Sequence, residues 1–185
     1  MEVGPYRANH RCHEHFVPGV RNLARAIVMS TYLTSYGSRF FSFYHPYLPF
    51  LDPQKPPEHY LHISRLLFWA IISVASRRYS VDLTLLSSLC VSVPRLLWAT
   101  LQSVSQNHHD IKALCLLCTW PFPTNSSSHD PTFMLSGTMM HMAMQIGLHR
   151  PSNAQDFSKL KLNLTREDRE DRIKTWAVCN IVAQR

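Results

Sequence analysis

The sequence predicts an all-α fold, an irregular bundle of about six or seven helices. Apolar residues recur at helical i, i+3, i+4 and i+7 spacing in several long segments, and no segment of useful length alternates with the period of a strand. Glycine is scarce, with 5 residues in 185, which disfavours a β-sandwich or a dinucleotide-binding α/β unit. Hydrophobic residues make up 45% and charged residues 17% of the chain, as in a globular domain.

The length of 185 residues fits one ordinary domain. Residues 1–39 are predicted to be a leader and the first helix, which runs from about Val20 to Tyr44. Residues 40–185 are predicted to form the body of the domain. The body is expected to be incomplete, because the apolar pattern of the last helix continues to the C-terminus without a glycine cap.

The segment 45–60 is predicted to be an extended, aromatic-rich connector. Its prolines at positions 46, 49, 53, 56 and 57 cannot lie in a helix interior. Four aromatic residues of this region are expected to pack against the helix that follows, because so much aromatic area is unfavourable in water. They are Phe40, Phe41, Tyr44 and Phe50.

The next two helices are predicted over 65–79 and 81–106. Ser64 is the expected N-cap of the first, which is apolar on all sides and should therefore be fully buried. Pro94 is expected to split or kink the second. A further helix should begin at His109 and Asp110 and end at the segment 120–123, which reads Trp-Pro-Phe-Pro.

A methionine-rich helix is predicted over 130–148 and is expected to be the centre of the domain. Asp130 followed by Pro131 is a helix start signal. Two apolar faces are predicted, and small residues such as Gly137 are expected where neighbouring helices approach closely, so that leucine at this position would overpack the site. One predicted face contains Phe133, Gly137, Met140, Met144 and Leu148, and the other contains Leu135, Met139, Met142 and Ile146.

The last helix should begin after Thr165, which with Asp168 resembles a capping box. The alternating acidic and basic residues 166–172 are expected to form ion pairs on a solvated helix face. The predicted core-facing residues of this helix are Ile173, Trp176, Ala177, Asn180 and Ile181.

The net charge of +7 is spread along the chain and forms no basic stripe, so it gives little support to direct DNA binding.

The longest uninterrupted apolar run, residues 66–72, is too short to span a membrane, and no signal peptide is visible. The five cysteines are an odd number and lie mostly in apolar helical patterns. Reduced thiols in an intracellular protein are therefore expected.

Three groups of residues could carry metal or redox chemistry. The segment 10–15 reads His-Arg-Cys-His-Glu-His, but no second ligand pair is evident and a solvated leader is favoured. Cys115 and Cys118 form a C-x-x-C in an apolar helix, where core packing is favoured over redox activity. His141, between methionines, is favoured as a buried histidine satisfied by one hydrogen bond rather than as a metal ligand.

No nucleophile elbow, H-E-x-x-H, phosphate-binding loop or dinucleotide fingerprint occurs in the sequence, so no enzyme activity is predicted. A small helical enzyme or metal-binding protein that uses the histidine and cysteine clusters is the alternative.

Four segments in order carry a resemblance to a known family. They are 40–52, which includes Phe-Phe and Tyr-His-Pro; 66–79, which includes Leu-Leu-Phe-Trp-Ala-Ile; 111–123; and 135–158, which includes Met-Gln-Ile-Gly-Leu-His-Arg-Pro. Residues 40–185 thereby resemble the N-terminal part of the fungal-specific transcription factor domain of zinc-binuclear-cluster activators. The chain is most similar to the branch that contains activators of secreted proteases and of leucine biosynthesis.

The resemblance implies an all-helical regulatory domain in the nucleus that controls RNA polymerase II transcription. Its implied partners are transcription machinery or regulatory proteins, a small-molecule effector and, in full-length relatives, a second copy in a homodimer; no membrane is implied. Family members read DNA through a six-cysteine cluster that holds zinc. Residues 1–39 offer only Cys12, so no cofactor is expected in this chain. The candidate effector or packing pocket consists of Met140, Met144, Trp69 and Trp120.

The missing cysteine cluster and the dispersed charge predict how the chain behaves toward DNA and zinc. The purified chain should bind duplex DNA only through sequence-independent contacts whose affinity falls steeply with salt, and should retain no structural zinc. Fluorescence anisotropy with two unrelated duplexes across a salt series, with metal analysis of the same sample, checks both points. Tight, sequence-selective binding at physiological salt would contradict the prediction.

Overall fold

The computed structural model describes residues 30–78, 83–103, 107–124, 130–159 and 161–184. These residues form seven α-helices, joined by loops and two 3-10 helices, and contain no strand, which confirms the predicted all-α class. The predicted leader, with the cluster at 10–15, lies outside the described residues. In chain order the elements are α1 (Ser30–Phe43), a 3-10 helix (His45–Tyr47), α2 (Pro57–Ile63), α3 (Arg65–Ser76), α4 (Leu83–Leu101), α5 (His108–Thr119), α6 (Thr132–Gln145), a second 3-10 helix (Pro151–Phe157) and α7 (Arg166–Ala183).

Helix α3 lies at the centre of the domain. Every residue from Leu66 to Ser76 is buried, and α3 packs against α1, α2, α4 and α5. Its start is fixed by Ser64, whose hydroxyl accepts a hydrogen bond from the Leu67 backbone N–H at 3.0 Å, as predicted. The full burial predicted from the all-round apolar pattern is therefore confirmed. The expectation that the methionine-rich helix is central is wrong.

The connector between α1 and α3 is less extended than predicted. Pro57 begins the short helix α2, because proline fits the first turn, where its missing N–H would have no helical partner. Tyr60 on α2 donates a hydrogen bond to the Asp52 carbonyl oxygen at 2.6 Å, and His45 Nε2 lies 2.8 Å from the Leu51 carbonyl oxygen. These contacts hold the connector against the helices.

The aromatic residues of α1 and the connector are in the core. Phe40, Tyr44 and Phe50 are buried, and Phe41 is partly buried against the same cluster. Since α1 packs on α3, the expected burial of this aromatic area is confirmed.

Helix α4 continues through Pro94 and is not split there. Its buried residues recur every fourth position and face the core, where α4 packs against α3; they are Leu85, Leu89, Val93 and Leu97. Of the described helices, α4 alone is long and apolar enough, by length and composition, to cross a membrane, over residues 84–101. Of this window 22% is buried, along the face that packs against α3.

The cap of α5 differs from the prediction. The side chain of Asn107 accepts a hydrogen bond from the His109 backbone N–H at 3.1 Å, so the helix begins at His108. Asp110 instead accepts a hydrogen bond from the Ser64 hydroxyl at 2.6 Å, which joins the N-termini of α3 and α5. At the other end α5 stops at Thr119, before the Trp-Pro-Phe-Pro segment, as predicted.

Helix α6 begins at Thr132, two residues later than predicted, with Asp130 accepting a hydrogen bond from the Thr132 backbone N–H at 2.9 Å. The helix buries one face, not two. Leu135, Met139 and Met142 of one predicted face are in the core. The other predicted face, which contains Phe133, Met140 and Met144, is largely on the surface, and Phe133 is 93% exposed. A single buried face suffices because, among the described elements, α6 packs mainly against α5 and α7.

Gly137 within α6 and Gly147 just after it have different environments. Gly137 is exposed, and a Cβ there would meet no atom within 4 Å, so it is not a point of close helix approach. Gly147 ends the helix at φ +73°, where its N–H bonds to the Met144 carbonyl and the Leu148 N–H bonds to the Ala143 carbonyl. This pair of bonds is a Schellman motif, which requires the left-handed conformation that glycine adopts without strain.

The N-terminus of α7 is the predicted capping box. Thr165 accepts from the Asp168 backbone N–H, and the Asp168 side chain accepts from the Thr165 backbone N–H. The predicted core face of α7 is wrong for Ile173 and Ile181, which are about half exposed, and for Ala177, which is exposed. Trp176, of the same predicted face, is partly buried against the core. The buried residues are Arg172, Thr175, Val178, Cys179 and Val182.

The two glycines provide a matched test of the fold. Gly137→Ala should stabilise the domain by about 0.5–1 kcal/mol, because alanine has the higher helix propensity and the site has room. Gly147→Ala should destabilise it by about 1–3 kcal/mol, because the backbone is left-handed and the new Cβ would lie 2.6 Å from the Phe157 ring. Urea unfolding of both variants measures the difference. If Gly137→Ala destabilised as much as Gly147→Ala, the exposed position of Gly137 would be wrong.

Candidate functional site

A polar cluster joins α7 to the N-terminal half of α5. The ammonium of Lys112 contacts both carboxylate oxygens of Asp171, at 2.6 and 2.7 Å, and His108 Nε2 lies 2.9 Å from Asp171 Oδ2. The Lys112 side chain is only 5% exposed. Asp171 therefore faces the protein, which corrects the expectation that all the charges of residues 166–172 lie on a solvated face. Arg166 and Glu170, 2.9 Å apart, do form the predicted exposed i, i+4 ion pair.

The protonation states follow from these contacts. Burial opposes ionisation of Asp171, but the hydrogen bond from His108 and the charge of Lys112 outweigh it and hold the pKa of this carboxyl well below its usual range. Burial, with the neighbouring His108 and Lys112, lowers the pKa of His109 to about 3. His109 is therefore neutral at physiological pH, beside an ionised Asp171.

Among the described residues, His108, His109 and Asp171 form one group whose ligand atoms all lie within 4.8 Å of one another, close enough for a metal ion. However, both oxygens of Asp171 contact the Lys112 ammonium, and a divalent cation would have to displace that charge. The arrangement therefore fits an internal ion pair better than a metal site. The sequence analysis missed this cluster; the i, i+4 spacing of His108 and Lys112 was the available signal.

A second inward-facing charge of α7 secures the end of α6. Arg172 is buried and donates a hydrogen bond to the Ile146 carbonyl oxygen at 2.5 Å. Ile146 is the C-cap of α6, where carbonyl groups lack helical partners and a cation is favourable. Arg172 and Asp171 thus connect α7 to two different helices.

A sulfur cluster lies deeper between the same three helices. Cys115 Sγ of α5 is 3.4 Å from Met139 Sδ of α6 and 3.6 Å from Cys179 Sγ of α7. All three residues have no exposed surface, and the described cysteines are free thiols. Burial, and then the hydrogen bond with Cys179, raises the pKa of Cys115; burial raises the pKa of Cys118 to about 12. Neutral, buried thiols agree with the core-packing interpretation of the C-x-x-C.

The residues of the predicted effector or packing pocket have different environments. Trp69 is buried in α3 with its ring 5.2 Å from that of Phe68, and Trp120, at the end of α5, packs edge-on against Tyr44 at 5.6 Å. Met140 is partly buried against the core and Met144 is 39% exposed, one turn apart on α6. The assignment of these four residues to an effector pocket stays a prediction. His141 is exposed, so the expectation of a buried histidine is wrong.

Comparison with known proteins identifies the class to which this helical domain belongs. The chain matches the fungal specific transcription factor domain over residues 38–179 and belongs to that family. The family resemblance inferred from the four sequence segments is thereby confirmed.

Two curated relatives are regulatory proteins by name, and the name of the second specifies transcription. The chain is 28% identical over 179 residues to "Regulatory protein LEU3" of Saccharomyces cerevisiae, covering 89% of this chain and 20% of that protein. It is 30% identical over 145 residues to "Transcriptional regulatory protein SEF1" of Candida albicans, covering 75% of this chain and 15% of that protein. The chain therefore spans a fifth or less of the length of these relatives. No solved structure matches the chain.

The polar cluster predicts a clear cost for removing its carboxylate. Asp171→Asn should destabilise the domain by about 3 kcal/mol at pH 7, because the buried Lys112 ammonium would lose its anionic partner. The control Glu170→Gln, which breaks only the exposed pair with Arg166, should cost about 0.5 kcal/mol or less. Urea unfolding measures both values. Equal stability of the two variants would exclude a structural role for the Asp171 contacts.

The same contacts predict how stability depends on pH. Because the pKa of Asp171 is lower in the folded chain than the unfolded value of about 4, its contribution is present above that value and is lost as the pH falls toward the folded pKa. The stability difference between the native chain and Asp171→Asn should therefore shrink below pH 4. A difference that stayed constant into acid would contradict this.

Proposed function

We propose that this chain is the regulatory and interaction domain of a fungal zinc-cluster transcription regulator that acts in the nucleus on RNA polymerase II transcription. The observation that carries the proposal is the family match over residues 38–179, on a chain whose described part is entirely helical. The names of the relatives, which are regulatory proteins, support the same class of function.

The chemistry of the clusters supports a regulatory rather than an enzymatic role. The carboxylate of Asp171 is engaged by Lys112 and His108, and Cys115 is a neutral buried thiol. A catalytic acid or base needs a pKa near the working pH, whereas the pKa of Asp171 is well below that pH and the pKa of Cys115 is well above it. The enzyme or metal-binding alternative based on the histidine and cysteine clusters is therefore not favoured.

The surface of α6 and α7 supports a role in protein contacts. Four large apolar side chains are about half exposed or more on these two neighbouring helices, which is costly unless another protein covers them. They are Phe133, Met134, Ile173 and Ile181. We infer that a transcription or regulatory protein with an apolar surface packs here, and that DNA is reached only through a separate zinc cluster.

The test is a reporter assay in yeast. The full chain, fused to a bacterial DNA-binding module, should change transcription from a matching operator several-fold relative to the module alone. Leu67→Asp, which puts a charge in the buried face of α3, should abolish the change, whereas Arg65→Gln at the exposed first residue of the same helix should preserve it. A fusion that behaves like the module alone, or a Leu67→Asp fusion as effective as the native chain, would contradict the proposal.

A further inference from the structure

Helix α4 is covered on one side only. Its buried residues face α3, and among the described elements α4 packs mainly against α3. The side that faces away from α3 contains large apolar groups, since Val91 is 52% exposed and Trp98 is 43% exposed. Arg95 is the one charged residue between positions 84 and 101. A long helix surface with so little charge is typical of a contact with another protein surface.

The outward residues of α4 follow a seven-residue repeat. Positions 84, 91 and 98 are seven apart, and so are positions 87, 94 and 101. All six side chains are exposed or half-buried. This alternation of three and four residues is the pattern with which two helices pack along a shared seam. The six residues are named here the α4 seam: Thr84, Ser87, Val91, Pro94, Trp98 and Leu101.

The size of the seam residues changes along the helix. The two at the N-terminal end, Thr84 and Ser87, are small, whereas the two at the C-terminal end, Trp98 and Leu101, are large. A surface with this gradient is complementary to a surface that is large where it is small. A second copy of the same helix, running in the opposite direction, has this shape.

The antiparallel register that matches large to small residues is centred between positions 91 and 94. Each level along the two helices then combines one residue from each copy, and both ends have the same total side-chain volume. The facing pairs are Trp98 with Ser87, Leu101 with Thr84 and Val91 with Pro94. A parallel pair would instead stack Trp98 on Trp98 at one end and leave a gap between two serines at the other, which is unfavourable for packing.

We propose that two copies of the chain associate through the α4 seam as an antiparallel, two-fold symmetric helix pair. Both copies contribute the same residues, so the contact closes on itself and recruits no third chain. The surface belongs to a different helix from the exposed apolar residues of α6 and α7. The association is measured on the purified chain, so it and the proposed function can fail separately.

The size and charge of the contact determine its strength. A helix of 19 residues is about 28 Å long. Two such faces remove on the order of 1,000 Å² from water in total, at the lower end of specific interfaces, so the dimer should be weak and in the micromolar range. Each copy carries a net charge of +7, and salt that screens this repulsion should strengthen the association. Binding to DNA has the opposite salt dependence.

The first experiment is sedimentation velocity of the reduced, full chain across the micromolar concentration range. The native chain should move from a monomer of 21.4 kDa to a dimer of twice that mass. Val91→Glu puts a charge into the seam and Trp98→Ala removes its largest side chain, so each should weaken the association at least about tenfold. Circular dichroism checks that both variants are folded.

The matched control lies on another helix. Ile173 of α7 is 50% exposed, against 52% for Val91. Ile173→Glu therefore makes the same change at an equally exposed apolar residue outside the seam, and it should keep the native association. A dimer that is lost in Ile173→Glu and kept in Val91→Glu would overturn the proposal.

Disulfide cross-linking tests the direction of the two helices, in chains whose Cys12 and Cys90 are replaced by serine. A mixture of Thr84→Cys and Leu101→Cys chains, oxidised with glutathione disulfide, should give linked pairs, because these positions face each other. Each variant alone should stay unlinked. Its two introduced thiols would be about 25 Å apart along the helices, whereas a disulfide requires Cα atoms within about 7 Å.

Three further outcomes would overturn the proposal. The native chain could stay monomeric across the series, its association could weaken with salt, or the Thr84→Cys chain alone could cross-link as efficiently as the mixture. A monomeric native chain that sediments with phosphatidylcholine vesicles would assign the seam to lipid and would equally overturn the dimer.

Discussion

The structure depends on the complete burial of one helix, α3. A helix that is apolar on every side is stable in water only when other elements cover its whole circumference. Here the four helices α1, α2, α4 and α5 enclose α3. The surface of α3 is removed from water by three features together. They are the aromatic connector, the buried stripe of α4 and the apolar residues of α5.

The second layer of the domain is held differently. Helices α6 and α7 are not surrounded, and each presents one face to α5 and leaves apolar side chains on the surface. The contacts of α7 are partly polar: Asp171 reaches Lys112 and His108, and Arg172 reaches the C-cap of α6. Buried ion pairs contribute less to stability than apolar packing does, but they tolerate little misalignment and so fix the position of α7.

The comparison of sequence and structure separates local features from nonlocal ones. The caps at Ser64 and at Thr165 with Asp168 were predictable, because each is a bond between residues three apart. The buried face of α7 was not predictable. Ile173 is exposed while the neighbouring Arg172 is buried, because α6 offers Arg172 an unpaired carbonyl that the periodicity of α7 does not reveal. The error at Gly137 also has a nonlocal cause. The small size of glycine would permit close helix packing, but a Cβ at this position would meet no atom within 4 Å, which the local sequence does not reveal.

Helix α5 occupies the position through which the two layers must communicate. Its early residues Lys112 and Cys115 meet α7 through a charge and a thiol, while the same helix packs against α3 on its other side. A change in the contacts of α7 therefore reaches α3 through α5, because α7 makes no substantial packing with α3 among the described elements. The interface of α5 with α7, with its buried thiols and its ionised aspartate, is the part of this domain where a small chemical change would alter helix packing without exposing the central helix.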